Sequence, residues 1–196
     1  MIFQVLSFLT EELNTYLKAE FQTPQAKAIL AAHVGVAGAN AADFDNQMSL
    51  TLINIASEPT VRNLLPSRSG AGPHQQLGPA LKLNLRVLLA ANFSEYSESL
   101  KFLGSTLAFF QGHPAFTIPP ASSLAAVVDR LTVEMEDTSY QDWSYLWGML
   151  GAKHMPGVVY RVKMITIQDD VVLGTTPAIS SVDATTTVRP VPATTL

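Results

Sequence analysis

Residues 81–112 read LKLNLRVLLAANFSEYSESLKFLGSTLAFFQG. Leu81, Leu83, Leu85, Val87 and Leu89 alternate with Lys82, Asn84 and Arg86. That two-residue period predicts a strand with one buried face over Leu81–Ala91. Ser94 then stands where a helix N-cap belongs, and Gly112 with Pro114 beyond it stops the helix near Gln111. Tyr96, Leu100, Leu103, Leu107 and Phe110 recur at helical spacing, so they are expected to face the sheet as one stripe. Phe102 and Phe109 lie beside that stripe, which makes the apolar side unusually broad. A helix this broad is expected to touch a second surface, and the two phenylalanines are candidates for packing between subunits.

Working outward, Ile2, Leu6, Leu9, Leu13, Tyr16 and Leu17 predict a helix over 2–21. The segment from Gln22 to Gly38 stays open between loop and short helix. Phe44–Ala56 reads as a strand whose phase shifts at Ile53 and Ile55, as a bulge or two-sided burial would produce. Pro66, Gly70, Gly72, Pro73 and Gly78 break residues 59–79 into a long loop. Val128–Glu136 is a further strand with Val133 and Met135 expected inward. Ser139, with Asp142 three positions on, opens a short helix that Gly151 ends. Val158–Gln168 is the last strand, its Arg161 and Lys163 alternating with Val158, Tyr160, Val162 and Met164.

From residue 170 onward Thr and Pro dominate and large apolar groups are scarce. Such a segment has no core of its own and is expected to be flexible unless bound. The order of elements lacks regular βαβ alternation. It therefore predicts an α+β fold, with a mixed, mainly antiparallel sheet, helices packed on one face and an extended C-terminal arm. The expected division is a domain over 1–169 and an arm over 170–196.

Composition narrows function by exclusion. The 196 residues carry 12 basic and 16 acidic side chains for a net charge of −4, and only 14% of them are charged. A nucleic-acid backbone binder would be basic, so none is expected as a partner. Hydrophobic residues reach 47% and mean hydropathy is +0.21, which suits a chain that buries further surface in an oligomer. With no cysteine there is no disulfide framework and no thiolate chemistry. The apolar opening, Met1–Leu9, lacks the positive start and cleavage site of a secretion signal. Glu11, Glu12 and Lys18 interrupt it well short of a membrane span, so no membrane insertion is expected.

The residue pattern supplies no catalytic, cofactor-binding or metal residue, and no enzyme is expected. His33, His74, His113 and His154 show no ligand spacing and no H-E-x-x-H. Glu134, Glu136 and Asp137 cluster, but the strand pattern turns the two glutamates away from the apolar pocket that a general acid requires. No Gly-x-Ser-x-Gly elbow occurs. Gly148–Lys153 approaches a phosphate loop with its first glycine misplaced and His154 in place of Ser or Thr. Trp143 and Trp147, four residues apart, are either core or anchors of an interface. Arg86 and Arg161 on polar strand faces are either solvated or met by acidic groups of a neighbour.

Two blocks carry a family resemblance. One comprises residues 83–93, LNLRVLLAANF, followed by Tyr96, residues 98–103, ESLKFL, and residues 109–111, FFQ. The other comprises residues 131–136, LTVEME, then 146–148, LWG, 150–153, LGAK, Pro156 and 158–165, VVYRVKMI. In order and spacing both resemble the N-terminal domain of the cap, or tail-terminator, protein of phage-tail-like contractile injection systems. The likeness covers most of residues 1–168. One departure is Gly157, where that family more often has Ser after the proline.

The resemblance implies a structural protein without catalytic residues. It implies a hexameric ring on the end of the inner tube that stops tube and sheath growth and holds the last sheath ring. Homotypic, inner-tube and sheath contacts follow, as does assembly in the cytoplasm into a particle that can be released. Asp170 and Arg189 on the arm join Arg86, Phe102, Phe109, Trp143, Trp147 and Arg161 as candidate contacts. The alternatives are a tail-completion or adaptor protein of a related particle, or a ligand-binding or enzymatic domain with residues 59–79 as a lid.

Overall fold

A computed structural model describes residues 1–33, 45–57, 67–68, 74–77, 82–126, 128–166 and 172–176. In chain order the elements are α1 (Ile2–Glu20), β1 (Ala28–Leu30), β2 (Gln47–Ser57), β3 (Ser67–Arg68), β4 (His74–Leu77), β5 (Leu83–Asn92), α2 (Tyr96–Gly112), β6 (Ala115–Thr117), β7 (Val128–Glu136), α3 (Tyr140–Leu150), β8 (Gly157–Thr166) and β9 (Val172–Thr176), with a short 3-10 turn at Ser123–Ala126. They belong to two compact units.

The larger unit is built on a six-stranded sheet in the order β1-β2-β5-β8-β7-β6. All neighbours are antiparallel except β1 and β2, which run parallel. Alternation along β5 sends Leu85, Val87, Leu89 and Ala91 into the main core, where Met48 and Leu50 of β2 and Tyr160, Val162 and Met164 of β8 join them. Val5, Leu6, Leu9, Leu13 and Leu17 of α1 are at most 3% exposed and cover this face. Side chains of that size contribute about 1.5–3 kcal/mol each when fully buried, so this stripe fixes α1 to the sheet. The phase shift expected in β2 is a register irregularity between Leu52 and Asn54.

Helix α2 lies on the same face but is turned about its axis from the expected orientation. Its buried residues are Ser99, Phe102, Thr106, Phe109 and Phe110, whereas Tyr96 is 67% and Leu100 46% exposed. The physical reason is the aromatic packing. Phe102 stacks between Phe21 and Phe93, with ring centroids 4.0 and 4.5 Å away, and Phe109 meets Tyr16 at 5.2 Å. Thr106 tolerates burial because its hydroxyl donates to the Phe102 carbonyl. The N-cap is Glu95, not Ser94, and no side chain caps it.

The α+β class is as expected, and the one-sided packing holds for α1 and α2. Helix α3 occupies the other face. There Leu146 and Trp147 close a second, smaller core over Leu88, Ala90 and Val159. Ser139 accepts from the amide of Asp142, and Gly151, at φ 63°, provides the left-handed stop.

The smaller unit contains an antiparallel sheet in the order β3-β4-β9. His74–Leu77 pairs with Val172–Thr176, so strand pairing exists where the sequence pattern suggests only loop and arm. Asp170 and Arg189 lie outside the described residues.

Candidate assembly interface

Beyond the reach of α3, the outer sheet face is polar. Here the register sets Arg86 of β5 directly across from Arg161 of β8, and Arg161 across from Glu134 of β7. Two guanidinium groups facing each other across a ladder repel. Glu136 answers both: Arg86 donates from Nε to Oε2 at 3.0 Å and from Nη2 to Oε1 at 2.7 Å, while Nη2 of Arg161 lies 3.3 Å from the same Oε1. Lys163 pairs with Glu134 at 2.7 Å. The Arg86 and Arg161 side chains are 47% and 37% exposed, so these pairs contribute little to stability. What they fix is the position of charge on a surface. Of the carboxylates that cluster in the sequence, Glu134 and Glu136 are thus divided among cations on neighbouring strands.

Three aromatic candidates are corrected. Phe102 and Phe109, each 4% exposed, belong to the main core and have no surface to offer a neighbour. Trp147, 5% exposed, lies in the second core beside His33 and His154, because α3 turns it toward Leu88 and Ala90. Trp143 lies nearer the surface, lining a cleft of about 260 Å³ with Met135, Glu136, Asp137, Thr138 and Gly157. Met135, expected inward, is 64% exposed. Tyr140, Tyr145 and Met149 of α3 are also strongly exposed. Sequence reasoning missed them, although apolar residues on more than one side of a short helix are a signal for such a surface.

The borders of the sheet differ. On β1, the side-chain amide of Asn14 accepts from the amides of Lys27 and Ala28 and donates to the Ala28 carbonyl, all at 2.7–2.8 Å. That side chain occupies the outward peptide groups of Ala28, which shields an edge from foreign strands. On the other border, β6 is only three residues long and follows Pro114.

Buried ionisable groups are few. His33 is 7% exposed with Nε2 3.4 Å from Ser49 Oγ, and burial lowers its pKa. Burial also pushes the Tyr160 phenol up to about 12. Among the described residues no group of three His, Cys, Asp or Glu side chains could hold a metal ion, and no helix is long and apolar enough to cross a membrane.

The sequence profile of the Pvc16 N-terminal domain family matches residues 4–181, most of the chain. The chain belongs to that family. This Pvc16 N-terminal domain is similar in fold to the sheath/tube terminator of an extracellular contractile injection system, PVC, in its extended state. The TM-score is 0.54 at 12% identity, over 94% of this chain and 65% of that one. It is also similar to the tube-terminating cap of the anti-feeding prophage, with TM-score 0.54 at 17% identity, over 93% of this chain and 61% of the other. It thus spans somewhat less than two thirds of either terminator. No curated protein sequence matches it.

Proposed function

We propose that this chain is a structural cap of a contractile injection system, ending growth of the inner tube and sheath and anchoring the last sheath ring. The observation that carries this is the family match over 4–181, supported by a fold shared with two terminators. The physics is consistent with it. Stacked rings grow through heterologous contacts until a subunit offers no second copy of the growing face. The two faces of this sheet are unlike, one covered by α1 and α2, the other partly open and charged.

The cap acts as a homo-oligomeric ring, hexameric in the form the family resemblance implies, in contact with tube and sheath proteins. It performs no reaction. It is built into the particle in the cytoplasm and travels with it on release. Residues 170–196 serve as an arm whose Val172–Thr176 strand pairs within the chain and whose remainder reaches a neighbouring subunit, with Asp170 and Arg189 among its contacts.

The test is deletion of the gene in a particle-producing strain, followed by imaging. Tubes and sheaths of uncontrolled length are expected, with restoration by the intact gene. Particles of normal length, or a tagged protein located away from the distal tube end, would refute the proposal. A location elsewhere on the particle would favour an adaptor role.

A further inference from the structure

The larger unit carries opposite charge on its two sides. On α1, Glu11, Glu12 and Glu20 are exposed, and among the described residues none of them has an ion-pair partner. Only Lys18 offsets them on that helix. Helix α1 covers the sheet face that carries Leu85, Val87 and Leu89. The opposite face presents the cations Arg86, Arg161 and Lys163, paired among the described residues with Glu134 and Glu136, and Asp137 stands beside Glu136 at the strand end. Arg86 engages both oxygens of Glu136, which leaves Arg161, among the described residues, a single ion-pair contact at 3.3 Å. A guanidinium has five N–H donors in a planar fork, so Arg161 is only partly satisfied by its own chain.

We propose that copies of this chain associate head to tail, the Arg161 face of one copy receiving Glu11 and Glu12 on α1 of the next. Charge complementarity selects this pairing over a two-fold one, which would set arginine against arginine. Because the two surfaces lie on opposite faces of the sheet, every copy offers one of each. Such a contact is heterologous and closes into a ring when the rotation per step divides a full turn. This contact presupposes the ring-forming cap proposed above and names the surface through which the ring forms.

The experiment is sedimentation velocity on the full chain without tube or sheath protein. Wild type is expected to assemble, less tightly as salt rises. Arg161→Glu and the double variant Glu11→Lys/Glu12→Lys are each expected to weaken assembly about ten-fold or more. The triple variant, with all three charges reversed, is expected to recover it. Arg161→Gln, a milder change, repeats the test if Arg161→Glu unfolds by circular dichroism. The contact is overturned if wild type stays monomeric, if the Arg161 variants assemble as wild type does, or if the triple variant remains as weak as its parents. Particle length in a strain carrying Arg161→Glu separates the two proposals. Normal length together with unchanged assembly refutes the contact and leaves the cap standing.

Discussion

Gly157 lies against Leu89 so closely that a Cβ on the glycine would stand 2.6 Å from the Leu89 carbonyl oxygen. The neighbouring contact is the Ala90 Cα at 3.3 Å, also backbone. Both atoms belong to β5 near the middle of the sheet and cannot swing aside as a side-chain tip would. Any side chain at this position would force β8 and β5 apart. Gly157→Ser is expected to lower stability by about 1–3 kcal/mol, read from the midpoint of urea unfolding. Gly148→Ala is the control, since nothing lies within 4 Å of the Cβ it would add. An unchanged midpoint for Gly157→Ser would contradict the close approach.

Asn14 joins α1 to β1 through three hydrogen bonds from one side chain. Asn14→Leu keeps the size and removes all three, leaving the peptide groups of Lys27 and Ala28 without that partner. A loss of about 2 kcal/mol is expected, with faster hydrogen exchange at the Lys27 and Ala28 amides. Asn14→Asp keeps an acceptor for the two amides but sets a carboxylate against the Ala28 carbonyl, so its loss should be intermediate. Equal stability of all three proteins would show that the amide does not hold the strand.

His33 gives stability a pH dependence of definite sign. In the native protein burial holds its pKa below the ordinary 6.5, so the unfolded chain binds the proton more readily. Its contribution is therefore complete above the unfolded pKa and is lost as pH falls from there toward the native pKa. Unfolding midpoints taken from about pH 8 to about pH 5 should fall for wild type and fall less for His33→Gln, since histidine titrates in that range. Parallel curves would place the effect on other groups.

The rotated α2 predicts opposite outcomes for residues close together on one helix. Phe102→Ala empties the space between Phe21 and Phe93 and should cost about 3–5 kcal/mol. Tyr96→Ala and Leu100→Ala, on the exposed side, should stay within about 0.5 kcal/mol. Denaturant unfolding of the three variants distinguishes the observed face from the one that the residue spacing suggests.

That contrast shows what was legible in the sequence. Strand β5 is readable because Leu85, Val87 and Leu89 have no apolar competitors at the alternating positions Asn84 and Arg86. Helix α2 offers two overlapping apolar stripes, and spacing alone cannot rank them. Stacking on Phe21 and Phe93 decides, and those partners come from outside the helix. The position of α3 has a trace in the sequence, since Leu88 and Ala90 end the polar side of β5 and need a cover. Strands β1 and β6, three residues each, are too short for any period to show. At the candidate interface, Arg86 and Arg161 stand out as charges on strands, but their sharing of Glu136 depends on register between distant segments. The tryptophan pair divides for the same reason: Trp147 is turned inward by a sheet surface that precedes it by some sixty residues.

The amide of Asn14 also decides what kind of recognition the β1 margin supports. Main-chain docking is indifferent to the identity of the visitor, since every peptide carries the same donors and acceptors. With Ala28 already engaged from within, a passing segment gains nothing there by being merely extended. At Ala28 a docking segment can be told apart only by its side chains, which differ from one protein to another. The identity of a docked segment at that residue is therefore written in what varies along a chain, not in the backbone all chains share.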